Sequence, residues 1–131
     1  MIFIDTSAWV ALASRRDDRH EDAVEILAHV DERLVTSNHV CGETWTFLNR
    51  RHGHHVAVRF LDRLESSENV ELRFVEHSLE RDALAWLRRH DEREYSFVDA
   101  TSFALMRASG IDTALAFDGD FAAAGFTELR P

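Results

Sequence analysis

Two carboxylates stand where chemistry is expected of them: Asp5 directly follows Ile2-Phe3-Ile4, and Asp118 directly follows Leu115-Ala116-Phe117. Each is the first acid after a short apolar run of the kind that forms a buried strand. A carboxylate at the end of a buried strand loses water, and a second one nearby repels it. Both effects raise its pKa unless a cation compensates. A hard divalent ion is the natural compensator, and magnesium prefers oxygen ligands. The plainer alternative is that each acid only caps the helix that follows it. Two further acids invite the same question. Glu43 lies one helical turn past His39 in Ser37-Asn38-His39-Val40-Cys41-Gly42-Glu43, where an acid in a first turn can simply answer the helix dipole. Asp99 sits among Phe97, Val98, Ala100 and Phe103, a neighbourhood that an unpaired charge avoids.

The elements that must position these acids alternate along the chain. Residues 2–5 read as a buried strand, and residues 19–31 as a helix with Ala23, Ile26, Leu27 and Val30 on one face. Leu34-Val35-Thr36 predicts a second strand, followed by helices over 39–51 and His54 to Glu65. Val70, Leu72 and Phe74 alternate with charged residues as a third strand with one wetter face. Leu79, Ala83, Trp86 and Leu87 mark another helix. Ser96 opens the next one with Asp99 three residues on, close to a capping box, and Gly110 stops it. Thr113 to Phe117 is the fourth strand, a short Ala-rich turn follows, and Phe126 to Leu129 is an edge strand. Strands separated by helices require parallel crossovers and a sheet covered on both faces. The expected fold is a three-layer α/β/α sandwich with a central parallel sheet of about five strands, one domain over residues 1–131. Ligands of such sheets bind at the carboxyl ends of the strands, which is where Asp5 and Asp118 fall.

Composition narrows the chemistry. All 15 basic residues are arginine, so any mechanism that needs a catalytic lysine is excluded. A net charge of −9 denies the chain a global basic field, so a nucleic-acid ligand would have to be held by local arginines and bound metal. Cys41 is the only cysteine, which excludes an internal disulfide and a cysteine-based zinc site and makes it a small buried residue. The apolar start is too short for a signal peptide, and no stretch approaches the roughly 20 apolar residues of a membrane span. A cytoplasmic location is expected.

Four segments in order, Ile4-Asp5-Thr6-Ser7, Ser37 through Glu43-Thr44, Ser96-Phe97-Val98-Asp99-Ala100 and Phe117-Asp118-Gly119-Asp120-Phe121, resemble the PIN-domain proteins, specifically the VapC-type toxins of bacterial toxin–antitoxin pairs. The resemblance covers essentially the whole chain. It implies that Asp5, Glu43, Asp99 and Asp118 form an acidic quartet holding one or two Mg2+ (or Mn2+) ions, with Asp5 and Asp99 as the foremost ligands. Such ions activate water and stabilise charge on a phosphate under attack. It also implies a five-stranded parallel sheet, homodimerisation, a VapB-type antitoxin partner and a structured, translation-linked RNA substrate, rRNA or tRNA. The segments Ser37-Asn38-His39 and Asp91-Glu92-Arg93-Glu94-Tyr95 are similar to the subgroup that cuts ribosomal RNA. Thr6 and Ser7 would bond the scissile phosphate or an inner carboxylate, or cap a helix. Asp120 adds an acid beyond the quartet, and Arg93 stands at the mouth of the site or on an ordinary charged helix end.

Other residues compete for attention. His52, His54 and His55 lie beside Arg50 and Arg51, without the spacing of a zinc motif. They read as a solvated helix corner or, with the arginines, as phosphate contacts. Trp9, Trp45 and Trp86 read as core or dimer contacts. Rival functions are an RNA-maturation nuclease of the same family, a non-catalytic binding module, and a phospho-acceptor domain, which would normally carry a lysine near its acids.

Overall fold

Ile2-Phe3-Ile4 has no polar side chain to offer water, and it forms β1 (Ile2–Ile4) at the centre of the sheet, wholly buried. The computed structural model describes all 131 residues. β2 (Leu34–Ser37) pairs in parallel with one side of β1, in register Ile2 with Leu34, and β4 (Thr113–Leu115) pairs in parallel with the other, in register Phe3 with Ala114. β3 (Val70–Arg73) lies outside β2, and β5 (Thr127–Glu128) lies outside β4. The order is β3-β2-β1-β4-β5, all parallel, as expected from strands alternating with helices.

The strand order reverses beside β1. From β1 the chain steps through β2 to β3, then returns across the sheet to β4. Between β1 and β4 the adjoining connections leave in opposite directions, and a crevice opens at their carboxyl ends. The crossovers are α1 (Thr6–Ala13) with α2 (His20–Ala28), α3 (Asn38–His52) with α4 (His54–Ser66), and α5 (His77–Arg89) with α6 (Phe97–Ser109). α7 (Asp120–Ala123) joins β4 to β5. Because α6 runs into β4, its first turn lies at the same sheet edge as the ends of β1 and β4.

α6 is held by aromatic packing. Phe103, fully buried one turn beyond Asp99, has ring centroids of Trp86 at 5.1 Å, Phe121 at 4.9 Å and Phe126 at 5.5 Å around it. Each such pair contributes about 0.5–1.5 kcal/mol beyond its buried area. The cluster locks α6 to α5 and α7, and so fixes where Asp99 points.

Several local expectations shift. The segment 6–13, to which the apolar pattern assigns no element, is a full helix; its Ala, Trp and Val side chains are buried along with β1. β3 ends at Arg73, and Phe74 is exposed at 70% instead of continuing the alternation. β4 ends at Leu115, because beyond it the backbone turns to present Asp118. The Ala-rich turn is the short helix α7. Cys41 is half-buried rather than enclosed.

Candidate active site

Asp5 ends β1 and caps α1 with extended backbone (φ −88°, ψ 165°). Its Oδ2 accepts the Ser7 N–H at 3.3 Å and the Ser7 hydroxyl at 2.9 Å. The same hydroxyl oxygen accepts the Phe117 N–H at 3.1 Å, and the Asp5 N–H donates to the Leu115 carbonyl at 3.1 Å. The ends of β1 and β4 are thus stitched together through Asp5 and Ser7. Capping and site membership are not alternatives here: Asp5 does the first and lines the crevice as well. Ser7 bonds the inner carboxylate. The Thr6 hydroxyl is buried and without a partner at the same crevice.

Asp99 arrives from α6. Ser96 caps that helix by accepting the Asp99 N–H at 2.9 Å, and Asp99 Oδ2 accepts the Ser96 N–H at 2.9 Å. The capping box is complete, with an aspartate as its reciprocal member, and it leaves only Oδ1 free. Asp118 follows β4, and its Oδ1 accepts the Asp120 N–H at 3.1 Å. Gly119 between them takes φ 82°, a left-handed conformation costly to other residues. The turn is clamped from the α5–α6 connection: Arg93 Nε donates to Asp120 Oδ1 at 2.7 Å, and Arg93 Nη2 donates to the Asp118 carbonyl at 3.1 Å. A Cβ on Gly119 would stand 3.3 Å from Arg93 Nη2, so a side chain here would also press on the guanidinium that clamps the turn.

These side chains meet. One carboxylate oxygen each from Asp99, Asp118 and Asp120 lies within 4.8 Å of the others. A crevice of about 510 Å³ is lined by these three together with Asp5, Glu43 and Ser7. Glu43, half-buried on α3, comes from the β2 side of the sheet, one turn and a half past the Ser37 cap. Asp120, outside the expected quartet, is inside the cluster. Asp5 is the deepest of the acids, only 2% exposed.

The electrostatics follow from this crowding. Burial, and then repulsion from Asp118, pushes the Asp5 carboxyl up to about 7. Burial pushes Asp99 up to about 6, and Asp118 and Asp120 add to it by repulsion against the lowering bonds to Ser96. Asp118 is raised too, by desolvation and by Asp120 and Glu128. Arg93 is the one guanidinium bonded into the cluster, through Asp120 Oδ1. Such a set of carboxylate oxygens, with no nitrogen or sulfur donor, suits a hard cation of the magnesium or manganese type.

Of the other residues on the crevice wall, Asp17 and Arg19 carry no sequence signal, Glu94 lies in the Asp91 to Tyr95 segment and Phe47 lies one turn past Glu43 on α3. His52, His54 and His55 surround Gly53 at the α3–α4 turn, and none joins the acidic cluster. Trp9 and Trp86 are core residues, while Trp45 is half-buried with its ring against His54.

A parallel five-stranded sheet with acids gathered at its switch point is the arrangement of the PIN-domain family, and the PIN-domain model matches residues 2–127. The chain belongs to the PIN-domain family. It is 56% identical, over 131 residues that make up 100% of this chain and 99% of the relative, to the 23S rRNA-specific endonuclease VapC20 of Mycobacterium tuberculosis. This full-length kinship with an endonuclease places it among the nucleases of the family. The crystal structure of Mycobacterium tuberculosis VapC20, described as a sarcin–ricin loop cleaving toxin, superposes with a TM-score of 0.95 at 55% identity and covers 100% of both chains. FitAcB from Neisseria gonorrhoeae shares the fold, with a TM-score of 0.69 at 16% identity, covering 98% of this chain and 96% of that one.

Proposed function

We propose that the chain is a divalent-metal-dependent endoribonuclease, the toxin of a VapBC-type pair, and that it cleaves structured RNA of the translation apparatus, with the sarcin–ricin loop of 23S rRNA as its first candidate. The observation that carries this is the convergence of Asp99, Asp118 and Asp120 oxygens within 4.8 Å in a crevice shared with Asp5 and Glu43. Carboxylates pushed up to about 7 and about 6 are a cluster built to be neutralised by something other than protons. Asp99, Asp118 and Asp120 would hold the ion directly, with Asp5 and Glu43 completing its charge from behind and beside. Mg2+ is the first candidate, and Mn2+ is chemically equivalent here. When bound, the ion supplies a positive charge that offsets the acids, eases deprotonation of a water and stabilises charge on a phosphate.

The chain's own residues supply the rest. Ser7 fixes the Asp5 carboxylate. The Ser96 box fixes the Asp99 carboxylate through its Oδ2. Arg93 holds the turn that carries Asp118 and Asp120. The Thr6 hydroxyl is unpartnered but closed off from solvent, so Ser7 is the hydroxyl that serves the carboxylate here. Substrate choice rests on the relative that cuts 23S rRNA and matches this chain from end to end.

An antitoxin of the VapB type would place a basic side chain against the acids, matching the cluster's uncompensated charge. A homodimer and a cytoplasmic location complete the reading; no helix is long and apolar enough to cross a membrane. The whole chain, residues 1–131, acts as one domain.

The test is to sequence RNA 5′ ends after brief induction of the wild-type chain and of Asp5→Asn. Discrete new ends in 23S rRNA with the wild type and none with the variant are expected. Equal cleavage by both would remove Asp5 from the mechanism, and no new end with the wild type would overturn the reading.

A further inference from the structure

Beside the acidic crevice runs a second groove, of about 880 Å³, and the two share Glu43 and Phe47. Its wall is one face of α3. His39, Glu43, Phe47, Arg50 and Arg51 recur along it at helical spacing, so the face carries in turn a histidine, the acid of the site, an aromatic ring and two guanidiniums. At about 1.5 Å per residue, Arg50 lies roughly 10 Å along the helix axis from Glu43.

Three features of this face bear on what it could hold. Phe47 is 39% exposed, off the helix face that buries Val40, Thr44 and Leu48, and the Arg51 guanidinium lies over its ring at 5.6 Å. Arg50 and Arg51 are exposed and form no ion pair, and they are the unpaired arginines that line the groove joined to the acidic crevice through Glu43 and Phe47. His39 is set against Glu80 by a 2.9 Å hydrogen bond and edge-on to the half-exposed Phe97 ring, so the α3 face is held in place at its first turn. In a chain of net charge −9, two unpaired cations beside an exposed ring, opening directly onto the acidic crevice, suit an anionic, aromatic occupant.

We propose that this face of α3 is the track for the RNA strand flanking the scissile phosphate: Phe47 stacks a base, and Arg50 and Arg51 take the phosphates on either side of it. Base stacking on an aromatic side chain and guanidinium contacts to the backbone are the two terms from which single-stranded RNA binding is built. The continuity of the groove with the acids sets the register, so a strand seated on Phe47 and Arg50 delivers its next phosphate to Asp99 and Asp118. The inference rests on the ribonuclease reading and adds the residues that choose where on the RNA the cut falls.

The test uses full-length protein carrying Asp99→Asn, so that RNA is bound and not cut, and a fluorescein-labelled stem-loop of the sarcin–ricin sequence followed by anisotropy over a range of salt. Phe47→Leu, which keeps an apolar side chain for folding, is expected to weaken binding about 10-fold. Arg50→Gln with Arg51→Gln is expected to weaken it at least as much and to flatten the dependence of log affinity on log salt by about 0.7 for each phosphate no longer neutralised. Arg50→Lys with Arg51→Lys should restore the salt slope, and Arg59→Gln on α4, outside the groove, should leave both quantities alone. With Asp99 restored, the groove variants should raise KM about 10-fold and change kcat little. Unchanged affinity and slope in the groove variants, while the wild type still cuts the stem-loop, would overturn the track and leave the ribonuclease reading standing. A change of molecular mass by light scattering that alone accounts for weakened binding would also overturn it, by making this face an interface between copies. A wild type that neither binds nor cuts RNA would remove both.

Discussion

Arg93 reaches across the sheet edge to Asp120, with Nε 2.7 Å from Oδ1, and in doing so holds an acid of the cluster whose carboxylate also lies within 4.8 Å of Asp99 and Asp118. The bond joins the α5–α6 connection to the turn after β4. It is at once a clamp and a partial neutraliser, and the two roles separate experimentally.

Arg93→Gln removes the charge and loosens the turn. Asp120 then repels Asp99 without a counter-charge, so the Asp99 carboxyl, already at about 6, moves further up. The acid limb of the pH–rate profile should shift to higher pH, with cleavage at pH 7 reduced about 10-fold. Gly119→Ala should mimic the structural half of this effect, because φ 82° and the 3.3 Å approach of Arg93 Nη2 both oppose a Cβ. Its cost should be about 1–2 kcal/mol by urea unfolding. An unshifted pH profile in Arg93→Gln would confine Arg93 to a mechanical role.

Asp5→Asn should stabilise the metal-free protein, and increasingly so as pH rises. The carboxyl stands at about 7 in the fold against 3.8 for an unhindered aspartate. Between those values the folded chain binds more protons than the unfolded one, so stability falls as pH rises through that window. The penalty is absent below pH 4 and complete above pH 7, where it amounts to a few kcal/mol. Asparagine caps a helix as well as aspartate and still accepts from Ser7, so the helix start survives. The thermal midpoint in EDTA should rise by several degrees at pH 8 and hardly at pH 4. A lower midpoint at pH 8 would show that the buried charge is compensated from within the protein.

Divalent metal should reverse the same penalty. Magnesium or manganese at 100 times its Kd should stabilise the wild type by about 2.7 kcal/mol. Because protons must leave carboxyls at about 7 and about 6, binding should release more protons at pH 6 than at pH 8.5. Calorimetry in two buffers of different ionisation enthalpy reads that difference directly. EDTA should abolish cleavage, and either ion should restore it. Full activity in EDTA would remove the metal from the reaction.

Ser7→Ala should be costly for its size. The hydroxyl is the acceptor for the Phe117 N–H and a donor to Asp5 Oδ2. Its removal leaves a partly buried amide unpaired, which costs about 1–3 kcal/mol, and takes away a bond that holds the Asp5 carboxyl down. Unfolding by urea should show the first effect. A further upward shift in the pH at which metal binds should show the second.

The sheet is legible in the sequence because its signals are local. Ile2-Phe3-Ile4 and Leu34-Val35-Thr36 are short, apolar and bounded by polar residues, and the rule that ligands sit beyond parallel strands then locates Asp5 and Asp118 without any coordinates. Ser96 with Asp99 is legible for the same reason, since a cap and its reciprocal partner are three residues apart. α1 escapes the pattern because nearly every residue after Asp5 to Ala13 is small or apolar, so no amphipathic period marks it. The clamp on Asp120 is out of reach, because nothing in Asp91 to Tyr95 says which of its charges crosses 27 residues to find a partner. Arg50 and Arg51 read in sequence as part of a solvated corner or as phosphate contacts, with nothing to choose between the two. Only the placement of α3 against the crevice shows that their face opens onto the acids.

The carboxylates of the crevice come from the end of β1, from α3, from the start of α6 and from the turn after β4, four stretches separated by nearly the whole chain. No fragment cut between them retains the set. Proteolysis at any exposed connection that let one crossover drift would therefore silence the protein without touching a reactive group. A growing polypeptide is likewise inert until the turn after β4 has been made and has docked. For an enzyme whose proposed target is the machinery that synthesises it, the order of synthesis itself is a safeguard.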